Sequence, residues 1–252
     1  MSKQELAILF SGSVDSLALY ALSAVGRHPD IPPTRMIHLL CMQNGASRFK
    51  TFPFERFKAA EKILKAQAPF TEPLPEGSFV ELDTARLFQG LWLNQYEALM
   101  LRYSGKNLVC TACQLAMHTR AVIYCIERLV PQLIAGHYGN FSFCRQHPEA
   151  FIAKITAFSS NFGIKTSFPM NHNFYDKAVM QHLLEDHGLP ANDGGERQCL
   201  FSQTLTTATD NEIGNYLDDM IPHLTGYVES RLEGRVRDAA MCFTPGKVKP
   251  IL

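Results

Sequence analysis

The chain has 252 residues, of which 46% are hydrophobic, so it can bury one large α/β core or two smaller ones without disulfide or metal staples. This composition, without any low-complexity tract, excludes an intrinsically disordered protein. Lys and Arg together number 24, and so do Asp and Glu, so the net charge is zero. A uniformly basic nucleic-acid coat protein is therefore excluded, and the charge gives no support for a tRNA substrate.

The cellular compartment is indicated by hydrophobicity and cysteine usage. No apolar run in the sequence approaches the roughly 18 residues that a membrane span needs. The first apolar run, 6–10, ends at a Ser/Gly turn and is too short for the core of a signal peptide. We therefore expect a cytoplasmic protein with no membrane partner. The seven cysteines, an odd number, then favour reduced, metal-binding or reactive thiols over a disulfide framework.

The first part of the chain alternates between short apolar runs and helical patterns. Apolar runs predict strands at 6–10, 36–42, 78–82 and 133–136. Helical spacing predicts helices over 17–25, 54–68, 85–103 and 115–130. Gly26 is expected to end the first helix, Asn44-Gly45 to turn the chain, and Asp83 or Thr84 to cap the third helix. The alternation predicts an α/β fold with a mainly parallel twisted sheet and helices on both faces.

Beyond about residue 150 the pattern is weaker. The sequence predicts a helix over 175–187, stopped by Gly188 and Pro190, and another over 211–232, interrupted at Pro222. No internal repeat and no Pro/Gly/Ser-rich linker divides the chain.

The polar turn Ser11–Ser16, between the first strand and the first helix, is the most informative segment. In an open α/β sheet anions bind at such a turn, because backbone N–H groups at the helix N-terminus point at the ligand. Gly12 permits close backbone approach, and three serines add hydroxyl donors. A plain polar turn with Asp15 as the helix N-cap explains the same residues equally well. The missing lysine of a Walker loop disfavours the P-loop NTPases.

Cysteine spacing points to a second site. Cys110 and Cys113 form a C-x-x-C motif at the start of the helix that runs to residue 130, where thiol pKa values are lowered and thiolate is favoured. The motif alone is also typical of a zinc half-site, a dithiol redox pair or two buried thiols. Cys199, in a later loop, is the third candidate, whereas Cys41 and Cys125 are expected in the core.

Three segments together resemble one enzyme superfamily. Ser11-Gly12-Ser13-Val14-Asp15-Ser16 resembles the SGGxDS signature of the PP-loop ATP pyrophosphatases, with Ser13 in place of the second glycine. Segment 134–138 resembles the strand-and-loop GH element of the tRNA thiolation branch. Segments 175–177 and 187–190, followed by Cys199, resemble its K-x-E…GLP…C ending. The likeness runs from about residue 6 to residue 200.

Two departures from the family pattern bear on the site. A serine at position 13 fits the turn only if its φ is negative, because a β-carbon crowds a left-handed backbone. Gly139 and Asn140 stand where one form of the family has two acidic residues, so a role assigned to those acids does not transfer to this chain.

The resemblance implies a PP-loop (HUP-like) fold that binds ATP and Mg²⁺, cleaves ATP to AMP and pyrophosphate, and adenylates a substrate carbonyl before sulfur displaces AMP. It assigns ATP contacts to Ser11, Gly12, Ser13, Val14, Asp15, Ser16, Gly136, His137 and Lys177. It assigns catalysis to Asp15 together with Cys110, Cys113 and Cys199.

The resemblance also implies that the three cysteines converge beside the phosphate loop. Some relatives hold a [4Fe–4S] cluster on three such cysteines and leave one iron open for sulfur, whereas others carry a persulfide on one of two cysteines. Three thiolates suit iron–sulfur better than zinc, which usually takes four protein ligands and would have to recruit His118 or His137. A cluster is the first expectation, and a persulfide or zinc the alternatives.

On this resemblance we expect an ATP-binding PP-loop domain over 1–200 and a C-terminal helical extension over 201–252 packed on the same domain. The expected partners are ATP, a sulfur acceptor that is a small molecule or a tRNA, a sulfur donor, and a second copy of the chain in a homodimer. One alternative is a zinc-containing ligase or nitrile-forming enzyme resembling 7-cyano-7-deazaguanine synthase. Another, from a different class, is a catalytically inactive ATP-binding regulatory protein.

Overall fold

Five parallel strands form the sheet on which the helices pack. The computed structural model describes residues 4–26, 28–48, 50–67, 74–103, 108–136, 149–172, 177–191, 199–201 and 208–234. The strands are β1 (Gln4–Leu9), β2 (Thr34–Gln43), β3 (Glu76–Asp83), β4 (Gln132–Ala135) and β5 (Lys165–Ser167). The helices are α1 (Val14–Val25), α2 (Phe52–Gln67), α3 (Ala85–Leu91), α4 (Tyr96–Arg102), α5 (Val109–Arg128), α6 (Glu149–Ser160), α7 (Pro169–His172), α8 (Lys177–Asp186) and α9 (Asp210–Leu232).

The strand order is β3-β2-β1-β4-β5, and every neighbouring pair is parallel. Because crossover connections are right-handed, α1 and α2 cover one face, and the connections through α5 and α6 cover the other. The direction of winding reverses between β1 and β4. The crevice at the carboxyl ends of these two strands is the topological switch point, where open α/β sheets bind ligands. The predicted fold class is confirmed.

Alternate residues of β1 contribute to two separate cores. Leu6 and Ile8 of β1 are buried with residues of α1, α2 and α8, whereas Ala7 between them belongs to the core formed with α5, α6 and α9. This period of two is what a pleated strand buried on both faces requires. The continuous apolar runs in the sequence are therefore explained by helices on both faces.

One predicted helix is broken near its middle in the structure. The segment predicted as a single helix over 85–103 contains α3 and α4, separated by a short 3₁₀ turn at Leu93–Gln95. Trp92 leaves the helical region with φ −131° and buries its ring, and Gln95 Nε2 donates to the Gly90 carbonyl at 2.7 Å. The free energy gained by burying these two side chains therefore outweighs the free energy that a continuous helix would add. At the helix start, Asp83 Oδ1 accepts from the Ala85 N–H at 2.8 Å.

The predicted interruption at Pro222 is also wrong, since α9 runs through it without a break. Pro222 lies on the exposed face, where water can satisfy the carbonyl that loses its helical donor. Met220 and Leu224 anchor the helix on either side, and a capping box between Thr209 and Glu212 fixes its start. The sequence patterns had also missed α6, β5 and α7.

The two longest helices, α5 and α9, both contribute to the larger core. By length and composition α5 could cross a membrane, but 67% of its most apolar window is buried inside the protein, as is typical of a core helix. Helix α9 packs on α5 and α6 and adds the fully buried ring of Tyr216 to the same core. The domain boundary expected at residue 200 stays a prediction.

A polar chain crosses between the sheet and α5. His38 Nε2 lies 3.1 Å from Glu5 Oε2, and His38 Nδ1 lies 3.0 Å from the Tyr124 hydroxyl. Arg35 forms an ion pair with the same Glu5 carboxylate. The pKa of Glu5 is lowered, mainly by its hydrogen bond with His38, against a smaller opposing effect of burial and with the help of Arg35.

We expect the Glu5 contacts to make stability depend on pH. A depressed carboxyl pKa stabilises the fold above the unfolded pKa, and this contribution is lost as the pH falls through the folded pKa. The unfolding free energy, measured by urea titration between about pH 6 and about pH 3.5, should fall more steeply for the wild type than for Glu5→Gln. Glu55→Gln, at an exposed carboxylate of α2, is the matched control. Parallel curves for the wild type and Glu5→Gln would contradict the expectation.

Candidate active site

The loop Ser11–Ser16 joins β1 to α1 at the switch point. The Phe10 N–H donates to the Leu40 carbonyl at 2.9 Å and extends the pairing of β1 with β2 to the edge of the loop. Gly12 then adopts φ +79°, and Ser13 returns to φ −65° and ψ 166° as the N-cap residue of α1. The negative φ of Ser13 meets the condition under which a serine can replace the second glycine of the signature.

The side chains of the loop bind one another. Ser11 Oγ lies 2.6 Å from Ser13 Oγ, Ser16 Oγ donates to the Ser13 carbonyl at 3.2 Å, and Ser13 Oγ donates to Asp15. The alternative with Asp15 as N-cap is wrong, because Ser13 holds that position and Asp15 lies inside the first turn. Ser13 makes no side-chain cap hydrogen bond. The N–H groups of the first turn are thus left uncapped by Ser13, as an anion site requires.

Two glycines let the loop lie against neighbouring elements. A β-carbon on Gly12 would lie 2.9 Å from Pro53 Cα in the first turn of α2. A β-carbon on Gly136, which follows β4, would lie 2.9 Å from Asp15 Oδ2 and 3.1 Å from the Asp15 carbonyl carbon. Gly136 therefore lies directly beside the Ser11–Ser16 loop. The loop is held between the start of α2 and the end of β4.

The remaining predicted nucleotide contacts differ in their surroundings. Val14 and Ser16 are buried in the first turn of α1. Lys177 is the exposed first residue of α8, which packs on α1, and its phosphate contact stays a prediction. His137 and the family-related positions Gly139 and Asn140 lie outside the described residues.

The segment around Gly188 is fastened to α2. Arg56 Nη2 donates to the Pro190 carbonyl at 2.8 Å, and Gln67 Nε2 donates to the His187 carbonyl at 3.0 Å. Arg56 is buried and its guanidinium lies 5.5 Å from the centre of the Phe52 ring, close to the phosphate loop. Sequence reasoning missed Arg56, because an arginine in an amphipathic helix is most simply assigned to the solvated face.

The described cysteines fall into two classes. Cys110 and Cys113 lie in the first two turns of α5 and are partly exposed, as is Cys199. Cys41 and Cys125 are fully buried, which confirms them as core residues. Burial raises the pKa of the Cys125 thiol to about 12 and keeps it protonated. Among the described cysteines, the three predicted site cysteines are therefore the ones whose thiols are partly exposed.

The loop that follows β2 contacts two of these three cysteines. Asn44 Nδ2 donates to Cys113 Sγ at 3.3 Å. Ser47 pairs with Cys199 in an isolated antiparallel bridge, and the Leu200 N–H donates to the Ala46 carbonyl at 2.9 Å. The fold therefore brings the C-x-x-C helix and the distant Cys199 segment to one short loop, which sequence spacing could not establish.

Metal binding by the described side chains depends on how closely their donor atoms approach one another. Within the described part of the chain, no group of three His, Cys, Asp or Glu side chains is placed to hold a single metal ion. A zinc ion bound at about 2.3 Å would draw its thiolates to within roughly 4 Å of each other. In a [4Fe–4S] cluster each thiolate binds its own iron, so the sulfurs stand further apart. The thiols of the described residues are thus not arranged around a single zinc ion.

His118 is also poorly placed to serve as a zinc ligand. The ring of His118 is completely buried and lies between the rings of Phe151 and Phe168, with centroids 5.9 and 5.7 Å away. It is packed in the core rather than presented with the partly exposed thiols.

No family model and no curated protein matches the chain. Among solved structures, the chain is similar to the U34-tRNA thiolase NcsA from Methanococcus maripaludis with its [4Fe–4S] cluster. The TM-score is 0.43 and the identity 16%, over 93% of this chain and 72% of the thiolase. At this level the likeness concerns the arrangement of sheet and helices, and not the chemistry of individual residues.

The close packing of Gly12 predicts a specific cost for a side chain there. Gly12→Ala and Gly26→Ala both place a β-carbon at positive φ, which costs about 1 kcal/mol of unfolding free energy. Only Gly12→Ala also forces Pro53 to move, since nothing lies within 4 Å of a β-carbon at Gly26. Chemical denaturation should show Gly12→Ala to be destabilised further, by roughly 1–3 kcal/mol. Calorimetry should show weaker pyrophosphate binding in Gly12→Ala alone, and equal behaviour of the two variants would contradict this packing.

Proposed function

We propose that this protein is an AMP-forming ATP pyrophosphatase that adenylates a substrate carbonyl and transfers sulfur to the same carbon. The observation that carries the proposal is the Ser11–Ser16 loop, which lies at the switch point and at the N-terminus of α1. Gly136, directly beside Asp15, closes the other side of that position.

The loop would hold the pyrophosphate part of ATP. N–H groups of the first turn of α1 and the positive end of its dipole favour bound anions. Ser11, Ser13 and Ser16 would exchange their mutual hydrogen bonds for bonds to phosphate oxygens. Asp15 carries a negative charge at the same place, so a cation must separate it from the phosphates. Mg²⁺ fits this role, because it is usually bound by one or two carboxylates together with substrate phosphates.

The proposed reaction has two displacements. First, the carbonyl oxygen of the substrate attacks the α-phosphorus, and pyrophosphate leaves with the electron pair of the broken P–O bond. The loop keeps the pyrophosphate away from the new adenylate. Second, a sulfur nucleophile attacks the activated carbon, and AMP leaves with the former carbonyl oxygen. Adenylation is needed because a carbonyl oxygen is a poor leaving group and AMP a good one.

Cys110, Cys113 and Cys199 are the residues that would hold the [4Fe–4S] cluster. When bound, the cluster supplies an open iron that can carry the sulfur to be transferred. Cys110 and Cys113 lie in the first two turns of α5, near the positive end of its dipole. The donor is inorganic sulfide, or a persulfide whose outer sulfur is released as sulfide when thiols reduce it and become a disulfide. The acceptor is a small molecule or a tRNA. Assays with each acceptor class separate the two.

The reaction class can be tested by its products. With labelled ATP and an acceptor, we expect AMP and pyrophosphate, and not ADP and phosphate. Ser11→Ala should weaken binding of a non-hydrolysable ATP analogue by about tenfold, the loss typical of one hydrogen bond to a charged group. Asp15→Asn should weaken binding in the presence of Mg²⁺, because it removes a carboxylate ligand of the cation. Ser23→Ala is the matched control, since Ser23 lies in α1 and donates only within the helix, to Leu19 at 2.7 Å. ADP as the sole product, or unchanged affinity in both loop variants, would overturn the proposal. Binding without AMP release would select the inactive regulatory protein.

The metal centre can be tested by iron content. Anaerobic reconstitution should give broad absorption near 400 nm and roughly four irons per chain. Cys110→Ala, Cys113→Ala and Cys199→Ala should each lose both signals, whereas Cys41→Ala, at a buried core thiol, should keep them. A full iron complement in Cys199→Ala would refute the three-cysteine site and favour a persulfide. Stoichiometric zinc without iron would favour the zinc-containing ligase.

A further inference from the structure

We infer that Asn44 is a positioning residue that joins the two chain segments carrying Cys113 and Cys199 into one site. The inference rests on the proposed function for its chemical meaning, because it concerns two of the three proposed cluster ligands. Its structural basis is independent of any cluster, since it lies in the hydrogen bonds of the Asn44 side chain. The loop 44–47 is defined here as the β2 loop.

Asn44 uses both ends of its amide in different directions. It is buried at the carboxyl end of β2, with a relative exposure of 9%. Its Nδ2 donates to Cys113 Sγ at 3.3 Å. Its Oδ1 accepts from the Ala46 N–H at 3.0 Å and from the Ser47 hydroxyl at 2.9 Å. The oxygen therefore folds the β2 loop into an Asx turn, while the nitrogen reaches α5.

The folded β2 loop in turn holds the Cys199 segment. Ser47 bridges to Cys199, and the Ala46 carbonyl accepts from the Leu200 N–H at 2.9 Å. On the far side, the ring of Phe201 lies 6.0 Å from that of Phe88 in α3. The position of Cys199 therefore depends on the shape that Asn44 gives to the β2 loop.

An amide serves this role better than other small polar side chains. It carries an acceptor for the loop and a donor for sulfur on one planar group, which neither aspartate nor serine reproduces. An N–H donor to a ligand sulfur also tunes a bound cluster, because hydrogen bonds to the sulfurs offset its negative charge and raise its reduction potential. Asn44 thus has both a geometric and an electronic effect on Cys113.

Three substitutions separate these effects. Asn44→Asp keeps oxygen acceptors for Ala46 and Ser47 but removes the donor to Cys113. Asn44→Ala removes the donor and the acceptor together. Ser47→Ala is the matched control, because it removes one hydroxyl bond to Oδ1 and leaves the donor to Cys113 in place.

The first experiment uses the metal-free full chain. In a Cys110→Ser background, so that labelling in the first turns of α5 reports on Cys113, a short bismaleimide is added and the Cys113–Cys199 cross-link is quantified by peptide mass spectrometry. Yields are normalised to the single-maleimide labelling of each thiol. We expect Asn44→Ala and Asn44→Asp to lower the normalised yield about fivefold, the change that one hydrogen bond gives, and Ser47→Ala to keep it. A yield in Asn44→Ala equal to that of the parent would overturn the inference.

The second experiment uses the reconstituted protein and separates this inference from the proposed function. The reduction potential of the reconstituted cluster should be lower in Asn44→Asp than in the wild type at equal iron content. It should be unchanged in Ser47→Ala. A wild type that takes up no iron defeats the proposed cluster, while the cross-link still decides the role of Asn44. If the wild type binds the cluster and the Asn44 variants keep both the cross-link yield and the reduction potential, the role of Asn44 is refuted while the proposed cluster stands.

Discussion

The parallel pairing of β1 with both β2 and β4 is the constraint on which the rest of the site depends. Because all three strands run in the same direction, their carboxyl ends meet at one edge of the sheet. The loop Ser11–Ser16, the loop 44–47 and Gly136 are the segments that follow these strands. Residues far apart in the sequence are thus brought to one place by backbone hydrogen bonds, before any side chain contributes specificity.

Side-chain volume then decides how closely these segments approach. The phosphate loop contacts Pro53 through Gly12 on one side, and Gly136 contacts Asp15 on the other. Both contacts depend on a hydrogen atom where other residues have a β-carbon. The loop is thereby confined without a lysine of the Walker type, and its polarity comes from serine hydroxyls and helix N–H groups. In the proposed function, such a site would hold phosphate by geometry and by the dipole of α1, with a cation beside Asp15.

The sequence predicted those features whose signal is local. Apolar runs located β1 to β4, and the Ser/Gly turn located the loop between β1 and α1. Strand β5 was not predicted, because Lys165-Thr166-Ser167 is a polar edge strand with no apolar run. The break at Trp92 and the continuity of α9 through Pro222 depend on which face of a helix is buried, and this is a property of the tertiary structure. The spacing of residues in the sequence gives no indication of the contacts of Asn44 with Cys113 and of Ser47 with Cys199.

Adjacent strands also explain why two chemical steps can share one substrate. Neighbouring strands in a sheet lie about 4.8 Å apart, so the loops that follow β1 and β2 are next to each other. In the proposed reaction the first loop holds the pyrophosphate of ATP, and the second holds the segments that carry Cys113 and Cys199. The substrate carbonyl must reach the α-phosphorus with its oxygen first, and its carbon must then be reached by the sulfur nucleophile. A substrate placed over the β1–β2 edge would meet both without leaving its position, which keeps the adenylate away from bulk water between the two displacements.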